Sequence, residues 1–135
     1  SIVAVEEVPV EDVNKYGIVA ANPLDEHLGD VHTIVEKPSP RNAPSQLAVV
    51  GRYILDPKIM RVLARIGRGA GDEIQLTDAI AQLVGSRQHQ VLAYRFKGRR
   101  FDCGNKLGYL EATVEFALKH PELSTDFRAY LAQKK

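Results

Sequence analysis

The sequence contains a single cysteine, Cys103, among its 135 residues. An intrachain disulfide is therefore excluded, and no second cysteine is spaced to form a zinc site with the four histidines. We expect Cys103 to be a small buried residue and not a nucleophile, because no histidine stands near it in the sequence. This use of cysteine is typical of a protein in a reducing, cytoplasmic compartment.

A marked excess of charge of either sign is also absent. The chain has 18 basic and 17 acidic residues, which give a formal net charge of +1. This balance gives no reason to expect nucleic acid or an anionic membrane as a partner. No apolar run approaches the roughly 18 residues of a membrane-spanning helix, and no signal peptide is recognisable. With 44% hydrophobic residues, the composition is that of a globular domain with one core of ordinary size.

Extended and helical patterns alternate along the chain. Runs rich in β-branched residues predict strands at 1–8, 16–20, 32–35, 47–55 and 90–96. The run 47–55, LAVVGRYIL, is the most apolar and predicts a buried strand. Asp56 and Pro57 follow it, and they predict a helix in which aspartate can cap and proline can occupy the first turn.

Apolar residues at helical spacing predict further helices. Leu76, Ala79, Ile80 and Leu83 indicate a second helix, with Thr77 or Asp72 available near its start to accept hydrogen bonds from free amides. A third helix ends at His120 and Pro121, and a fourth begins near Ser124. The apolar stripe of the third helix comprises Leu107, Leu110, Val114, Ala117 and Leu118.

A carboxylate and an ammonium group are adjacent in VEKP (35–38), at the end of a predicted strand. Glu36 can accept hydrogen bonds from sugar hydroxyls, and Lys37 can pair with a phosphate. On its own, such a pair beside a proline is more typical of a solvated loop. Gly17 suits a close approach of a ligand to the backbone, and it also suits a bulge or a strand start.

A glycine-rich loop between a strand and a helix, of the kind that cradles a nucleotide triphosphate, is not evident in residues 1–135. The chain also opens inside a strand-like run. We therefore expect residues 1–135 to be the C-terminal part of a longer enzyme.

Six short motifs occur in a characteristic order: VEEVP (5–9), KYGIV (15–19), VEKP (35–38), GRYIL (51–55), DEIQLTDAI (72–80) and FDCGNK (101–106). With them, nearly the whole chain resembles bacterial UTP:glucose-1-phosphate uridylyltransferases. The resemblance implies the C-terminal part of a Rossmann-like nucleotidyltransferase fold, an α/β/α arrangement with a mixed sheet. It implies that residues 1–105 are the sugar-phosphate-binding part. Residues 106–135 would then be C-terminal helices that form subunit contacts in a homo-oligomer.

The resemblance also implies a reaction. In it, a uridylyl group passes from UTP to glucose 1-phosphate, giving UDP-glucose and pyrophosphate, with assistance from Mg²⁺. Lys37 is similar to the lysine that contacts the phosphate of glucose 1-phosphate, and Glu36 is similar to the glutamate that holds the glucose hydroxyls. Gly17 resembles the glycine whose backbone approaches the sugar. Asp102 resembles an aspartate near the metal and phosphates, and its place before Cys103 equally suits a turn or a cap.

Two other functions remain open on the sequence. The chain can be a non-catalytic assembly or regulatory module that kept the fold, or part of a nucleotidyltransferase for another sugar or base. The base contacts would lie outside this chain, so uridine specificity rests on the resemblance. The resemblance further implies that residues 1–135 do not catalyse the complete reaction alone.

Overall fold

A computed structural model describes residues 1–86 and 89–134 of the chain. Arg87, Gln88 and Lys135 fall within the two predicted parts and lie outside the described residues. Internal contacts divide the chain into two compact units, Ser1–Lys97 and Gly98–Lys135.

The first unit combines strands and helices. Over its described residues, its strands are β1 (Ile2–Glu7), β2 (Gly17–Pro23), β3 (Leu28–Glu36), β4 (Leu47–Ile54) and β5 (Leu92–Arg95). Its α-helices are α1 (Lys58–Leu63) and α2 (Leu76–Gly85), and short 3₁₀ turns cover Val10–Lys15 and Ala70–Asp72. Each of the five predicted strands is therefore present at its expected place.

The strands form one mixed sheet that closes on itself in the order β1, β4, β2, β3, β5. β1 runs parallel to β5, and the other neighbouring pairs are antiparallel. The mixed sheet with helices agrees with the predicted α/β class, whereas its closure was not predicted. A bulge bends β4, since Val3 pairs with Tyr53 but Val5 pairs with Val49. Gly51 lies within this bulge with a φ of 73°, a conformation that favours glycine.

The main core lies between the sheet and α1 and α2. It is built from β-branched side chains of the strands and from Ile59, Ala79, Ile80 and Leu83 of the helices. The last three belong to the predicted apolar stripe of α2, and each is at most 3% exposed. Burial of this stripe confirms the helix that its spacing predicts. A smaller cluster surrounds Val13 and Ile18.

The prediction that the whole run 47–55 is buried is wrong. Ala48 and Val49 are buried, but Tyr53 and Ile54 are 37% and 72% exposed. The change occurs across the bulge at Gly51, after which β4 no longer points its apolar side chains into the core. An apolar run records β propensity, and it does not record which half of a strand is covered.

The two predicted helix starts differ in outcome. Asp56 Oδ1 accepts a hydrogen bond from the Lys58 backbone N–H at 2.8 Å, so the predicted cap of α1 is confirmed. The prediction that Thr77 or Asp72 caps α2 is wrong. Gln75 precedes α2 without a side-chain cap, and the Thr77 hydroxyl donates instead to Glu36.

The second unit contains α3 (Lys106–Lys119) and α4 (Ser124–Ala132). Asn105 caps α3 by accepting a hydrogen bond from the Gly108 backbone N–H at 2.7 Å. Within the described part of this unit, the buried positions of α3 are Gly108 and Ala112, whereas Leu107 and Leu110 of the predicted stripe are 67% and 58% exposed. A Cβ at Gly108 would lie only 2.1 Å from the Asp102 carbonyl oxygen, so the small-residue face of α3 packs on its own loop.

Cys103 is exposed, so the prediction that it is buried is wrong. It lies in a turn that Asp102 closes through a hydrogen bond from the Gly104 N–H, and this turn leaves the thiol on the surface. Over residues 1–86 and 89–134, no helix is both long enough and apolar enough to cross a membrane.

Candidate functional site

Strand pairing places two of the candidate residues side by side. Gly17 begins β2, Glu36 ends β3, and the two are directly opposite in the antiparallel pair. Thr77, in the first turn of α2, packs against both. Two strand ends and one helix start therefore form a compact cluster within the first unit.

Gly17 is required at this point by space. A Cβ on this residue would lie 3.2 Å from Glu36 Oε2 and 3.2 Å from Thr77 Oγ1, tighter than ordinary contacts. Its backbone is not in the left-handed region, so the reason for glycine is close approach and not conformation. The absence of a side chain here lets Glu36 and Thr77 meet over the strand.

The Glu36 carboxylate is held from inside the fold. Thr77 Oγ1 donates a hydrogen bond to Glu36 Oε2 at 2.7 Å. Thr77 is 8% exposed, and the Glu36 side chain is 13% exposed. A carboxylate this enclosed needs partners to offset the loss of water, and Thr77 supplies one.

Lys37 follows with an unusual backbone. Its φ is 44°, in the left-handed region, and its N–H donates to the Tyr16 carbonyl oxygen at 2.9 Å. The buried Pro38 comes next and prevents β3 from continuing as a regular strand. This turn directs the end of the chain segment around Tyr16 and Gly17.

The ammonium group of Lys37 is available to an anion. Lys37 Nζ lies 3.8 Å from Glu36 Oε1, longer than a hydrogen bond, and its side chain is 54% exposed. The pair therefore offers a carboxylate that can accept and an ammonium that can donate, a few ångströms apart. Together they suit a ligand with both hydroxyl groups and negative charge.

Tyr53 responds to the same carboxylate. Partial burial and then the negative charge of Glu36 hold the pKa of Tyr53 above its usual range. The phenol consequently stays protonated at neutral pH and can donate a hydrogen bond.

Asp102 belongs to the second unit, where it forms a turn. Its Oδ1 accepts from the Gly104 N–H at 2.9 Å, and its carbonyl oxygen accepts from Asn105 Nδ2 at 3.1 Å. These bonds fulfil the turn role that its sequence position also suggested. Over the described ranges, no three His, Cys, Asp or Glu side chains come together as a cation site.

The family is decided by a match over most of the chain. The family model described as nucleotidyl transferase matches residues 1–118. The chain belongs to the nucleotidyl transferase family. This result confirms the predicted family and fold class.

Curated relatives of this nucleotidyl transferase chain are named UTP–glucose-1-phosphate uridylyltransferases. One from Streptococcus pyogenes serotype M3 is 46% identical over 132 residues, which are 97% of this chain and 44% of the relative. One from Staphylococcus epidermidis is 44% identical over 133 residues, which are 98% of this chain and 46% of the relative. The chain thus spans a little under half the length of these relatives.

Solved structures give the same answer for the fold. A UDP-glucose pyrophosphorylase complexed with UDP-glucose superposes with a TM-score of 0.82 at 44% identity, covering 88% of this chain and 44% of that one. A UTP-bound enzyme of this kind from Acinetobacter baumannii gives a TM-score of 0.81 at 45% identity, covering 99% of this chain and 45% of that one.

Within this nucleotidyl transferase chain, sequence reasoning identified three of the clustered residues and missed two. Gly17, Glu36 and Lys37 lie together in the first unit, and Asp102 lies in the second. Thr77 and Tyr53 had no predicted role in a site. Thr77 stands three positions before Ile80, beside the buried stripe of α2, and a polar residue at that position was the available signal.

Proposed function

We propose that the chain is the sugar-phosphate-binding part of a UTP:glucose-1-phosphate uridylyltransferase. The protein would transfer a uridylyl group from UTP to glucose 1-phosphate, giving UDP-glucose and pyrophosphate. The observation that supports this most is the cluster of Gly17, Glu36 and Lys37 at paired strand ends, in a chain 46% identical to a relative of that name.

Each residue of the cluster receives one task. Glu36 Oε1 accepts hydrogen bonds from glucose hydroxyls, and the Lys37 ammonium binds the phosphate of glucose 1-phosphate. The missing side chain of Gly17 lets the sugar approach the backbone. Two anionic substrates repel each other, so an enzyme that joins them gains mainly by holding them in line and offsetting their charge. Lys37 is the catalytic residue of this part of the chain, because it neutralises the attacking phosphate.

A divalent cation, Mg²⁺, would assist by neutralising substrate phosphates. Mg²⁺ is commonly bound by one or two carboxylates together with phosphate oxygens, so a single side chain is compatible with this mode. Asp102 is the candidate carboxylate, although its Oδ1 already accepts from the Gly104 N–H. Asp102→Asn keeps an acceptor for that turn and removes the charge, which makes it a specific test of metal binding.

We further propose a cytoplasmic homo-oligomer. A single cysteine and nucleotide sugar chemistry both suit the cytoplasm. Exposed apolar side chains on α3, among them Leu107, Leu110 and Phe116, suit a subunit contact.

Calorimetric titration with glucose 1-phosphate and UDP-glucose, with and without Mg²⁺, tests the proposal. The wild-type protein should bind both ligands saturably, and Lys37→Ala should weaken both at least about tenfold because a charge-assisted contact to phosphate is lost. Lys58→Ala, which removes an exposed lysine at the start of α1, is the matched control and should bind as the wild type does.

The assay of uridylyl transfer by the complete protein decides between the remaining functions. Turnover with UTP and glucose 1-phosphate that falls steeply in Lys37→Ala supports the enzyme. Binding without turnover would indicate the assembly or regulatory module, and preference for another sugar phosphate or nucleotide would indicate a different transferase. In Asp102→Asn, a raised Mg²⁺ requirement would support metal binding, and an unchanged one would assign Asp102 to the turn alone.

A further inference from the structure

The hydroxyl group of Thr77 holds Glu36 from the buried side of the cluster. Thr77 lies in the first turn of α2, is 8% exposed, and donates from Oγ1 to Glu36 Oε2 at 2.7 Å. We propose that Thr77 is a positioning residue that keeps the Glu36 carboxylate in the orientation that receives the sugar hydroxyls. This inference rests on the proposed function, because it requires Glu36 to bind the sugar.

The two oxygens of the carboxylate have different surroundings. Oε2 points inward to the Thr77 hydroxyl, while Oε1 lies 3.8 Å from the half-exposed Lys37 ammonium. An ionised carboxylate only accepts hydrogen bonds, so Thr77 must be the donor in this contact. Its single hydroxyl proton is then committed to Glu36. Thr77 therefore acts through Glu36, whose Oε1 is left to face the ligand beside the phosphate-binding group.

The contact leaves Glu36 little freedom to rotate. Gly17 lies directly beneath it, where even a Cβ would be 3.2 Å from both Glu36 Oε2 and Thr77 Oγ1. A carboxylate fixed before the ligand arrives does not lose side-chain entropy on binding. The close packing of a strand start, a strand end and a helix start thus favours a preorganised acceptor.

A purely structural need for a hydroxyl partner does not explain this contact. Thr113 in α3 satisfies its hydroxyl locally, by donating to the Tyr109 carbonyl oxygen at 2.8 Å, four residues before it. Thr77 instead donates to a carboxylate 41 residues away. It also does not cap α2. The longer-range choice links α2 to the site.

Steady-state kinetics of the complete protein test this role. Thr77→Val keeps the shape of the side chain and removes the donor, so kcat/KM for glucose 1-phosphate should fall about ten- to a hundredfold. Thr77→Ser keeps the hydroxyl and should stay within about threefold of the wild type. Thr113→Val makes the same chemical change at an exposed helix position and should stay within about twofold. Thr77→Ala is a second variant without the donor if valine disturbs folding.

A cycle with Glu36→Ala separates positioning from a general structural effect. If Thr77 acts through Glu36, the double variant should have the kcat/KM of Glu36→Ala alone, within about twofold. Losses that multiply, a Thr77→Val enzyme with wild-type kinetics, or a serine variant as impaired as the valine variant would each overturn the inference. A wild-type protein that transfers no uridylyl group to glucose 1-phosphate would overturn the proposed function itself, and the inference with it.

Discussion

At the scale of the residue, Lys37 combines a charged side chain with a backbone that L-amino acids seldom adopt. Its φ of 44° costs about 1 kcal/mol or more relative to an ordinary conformation. The hydrogen bond from its N–H to the Tyr16 carbonyl oxygen and the buried Pro38 that follows hold this conformation in place. Strain of this kind is common where a side chain must be aimed at a ligand.

Substitution of Lys37 should therefore affect binding and stability in different ways. Lys37→Gly and Lys37→Ala both lose the ammonium and should bind glucose 1-phosphate equally weakly. Lys37→Gly should be about 0.5–1 kcal/mol more stable in denaturant unfolding, because glycine adopts positive φ without strain. At Arg61, inside α1, the same two substitutions should show the opposite order of stability. Equal stabilities of the two Lys37 variants would argue against strain at this position.

Gly17 makes a prediction based on space. Gly17→Ala should weaken glucose 1-phosphate binding at least about tenfold in calorimetry, because the new methyl group displaces Glu36 or Thr77 from 3.2 Å contacts. Gly67→Ala adds the same methyl group where nothing lies within 4 Å, and it should leave both binding and stability unchanged. Wild-type affinity in Gly17→Ala would show that the cluster can relax without cost.

At the scale of the element, the bulge in β4 determines where the strand stops contributing to the core. Gly51 has a φ of 73° and open space around its missing side chain. The residues before the bulge are buried, and Tyr53 and Ile54 after it are exposed. The burial and charge that raise the pKa of Tyr53 therefore arise on the part of β4 that has left the core.

Gly51→Ala should lower the free energy of unfolding by about 1–2 kcal/mol. The cost is conformational, since an added Cβ would meet no atom within 4 Å. Denaturant titration against Gly67→Ala, which lacks the positive φ, measures it. A Gly51→Ala protein as stable as the wild type would mean that the bulge rearranges to an ordinary conformation.

At the scale of the whole molecule, the second unit presents apolar side chains on its surface. Leu107, Leu110 and Phe116 of α3 are each more than half exposed. Surface patches of this type commonly mark protein contacts. The division of the chain at Gly98 also separates Asp102 from the unit that contains the cluster, so the roles of the two predicted parts, residues 1–105 and 106–135, stay a proposal.

The complete protein should be a homo-oligomer in size-exclusion chromatography with light scattering. Leu110→Lys should shift it toward the monomer, because a charge placed in an apolar contact is costly to desolvate. Met60→Lys changes an equally exposed apolar residue in the first unit and should leave the mass unchanged. A wild-type monomer at every concentration would exclude the oligomer.

The sequence by itself determined the elements whose signals are local. Alternation of apolar residues, the α2 stripe and the pair Asp56 and Pro57 predicted strands, a buried helix face and a cap that the structure contains. These features depend on neighbours within a few residues, which a pattern can express. The motif order similarly indicated the family, which the match over residues 1–118 confirms.

Only the tertiary structure decided which residues meet. Thr77 has the sequence position of a helix cap, yet its hydroxyl donates to Glu36, because sheet closure and the packing of α2 bring positions 41 residues apart into contact. Cys103 and the stripe of α3 have apolar side chains, yet small residues at Gly108 and Ala112 take the buried face. Local patterns record propensity and periodicity, whereas burial and long-range hydrogen bonds depend on how the elements pack.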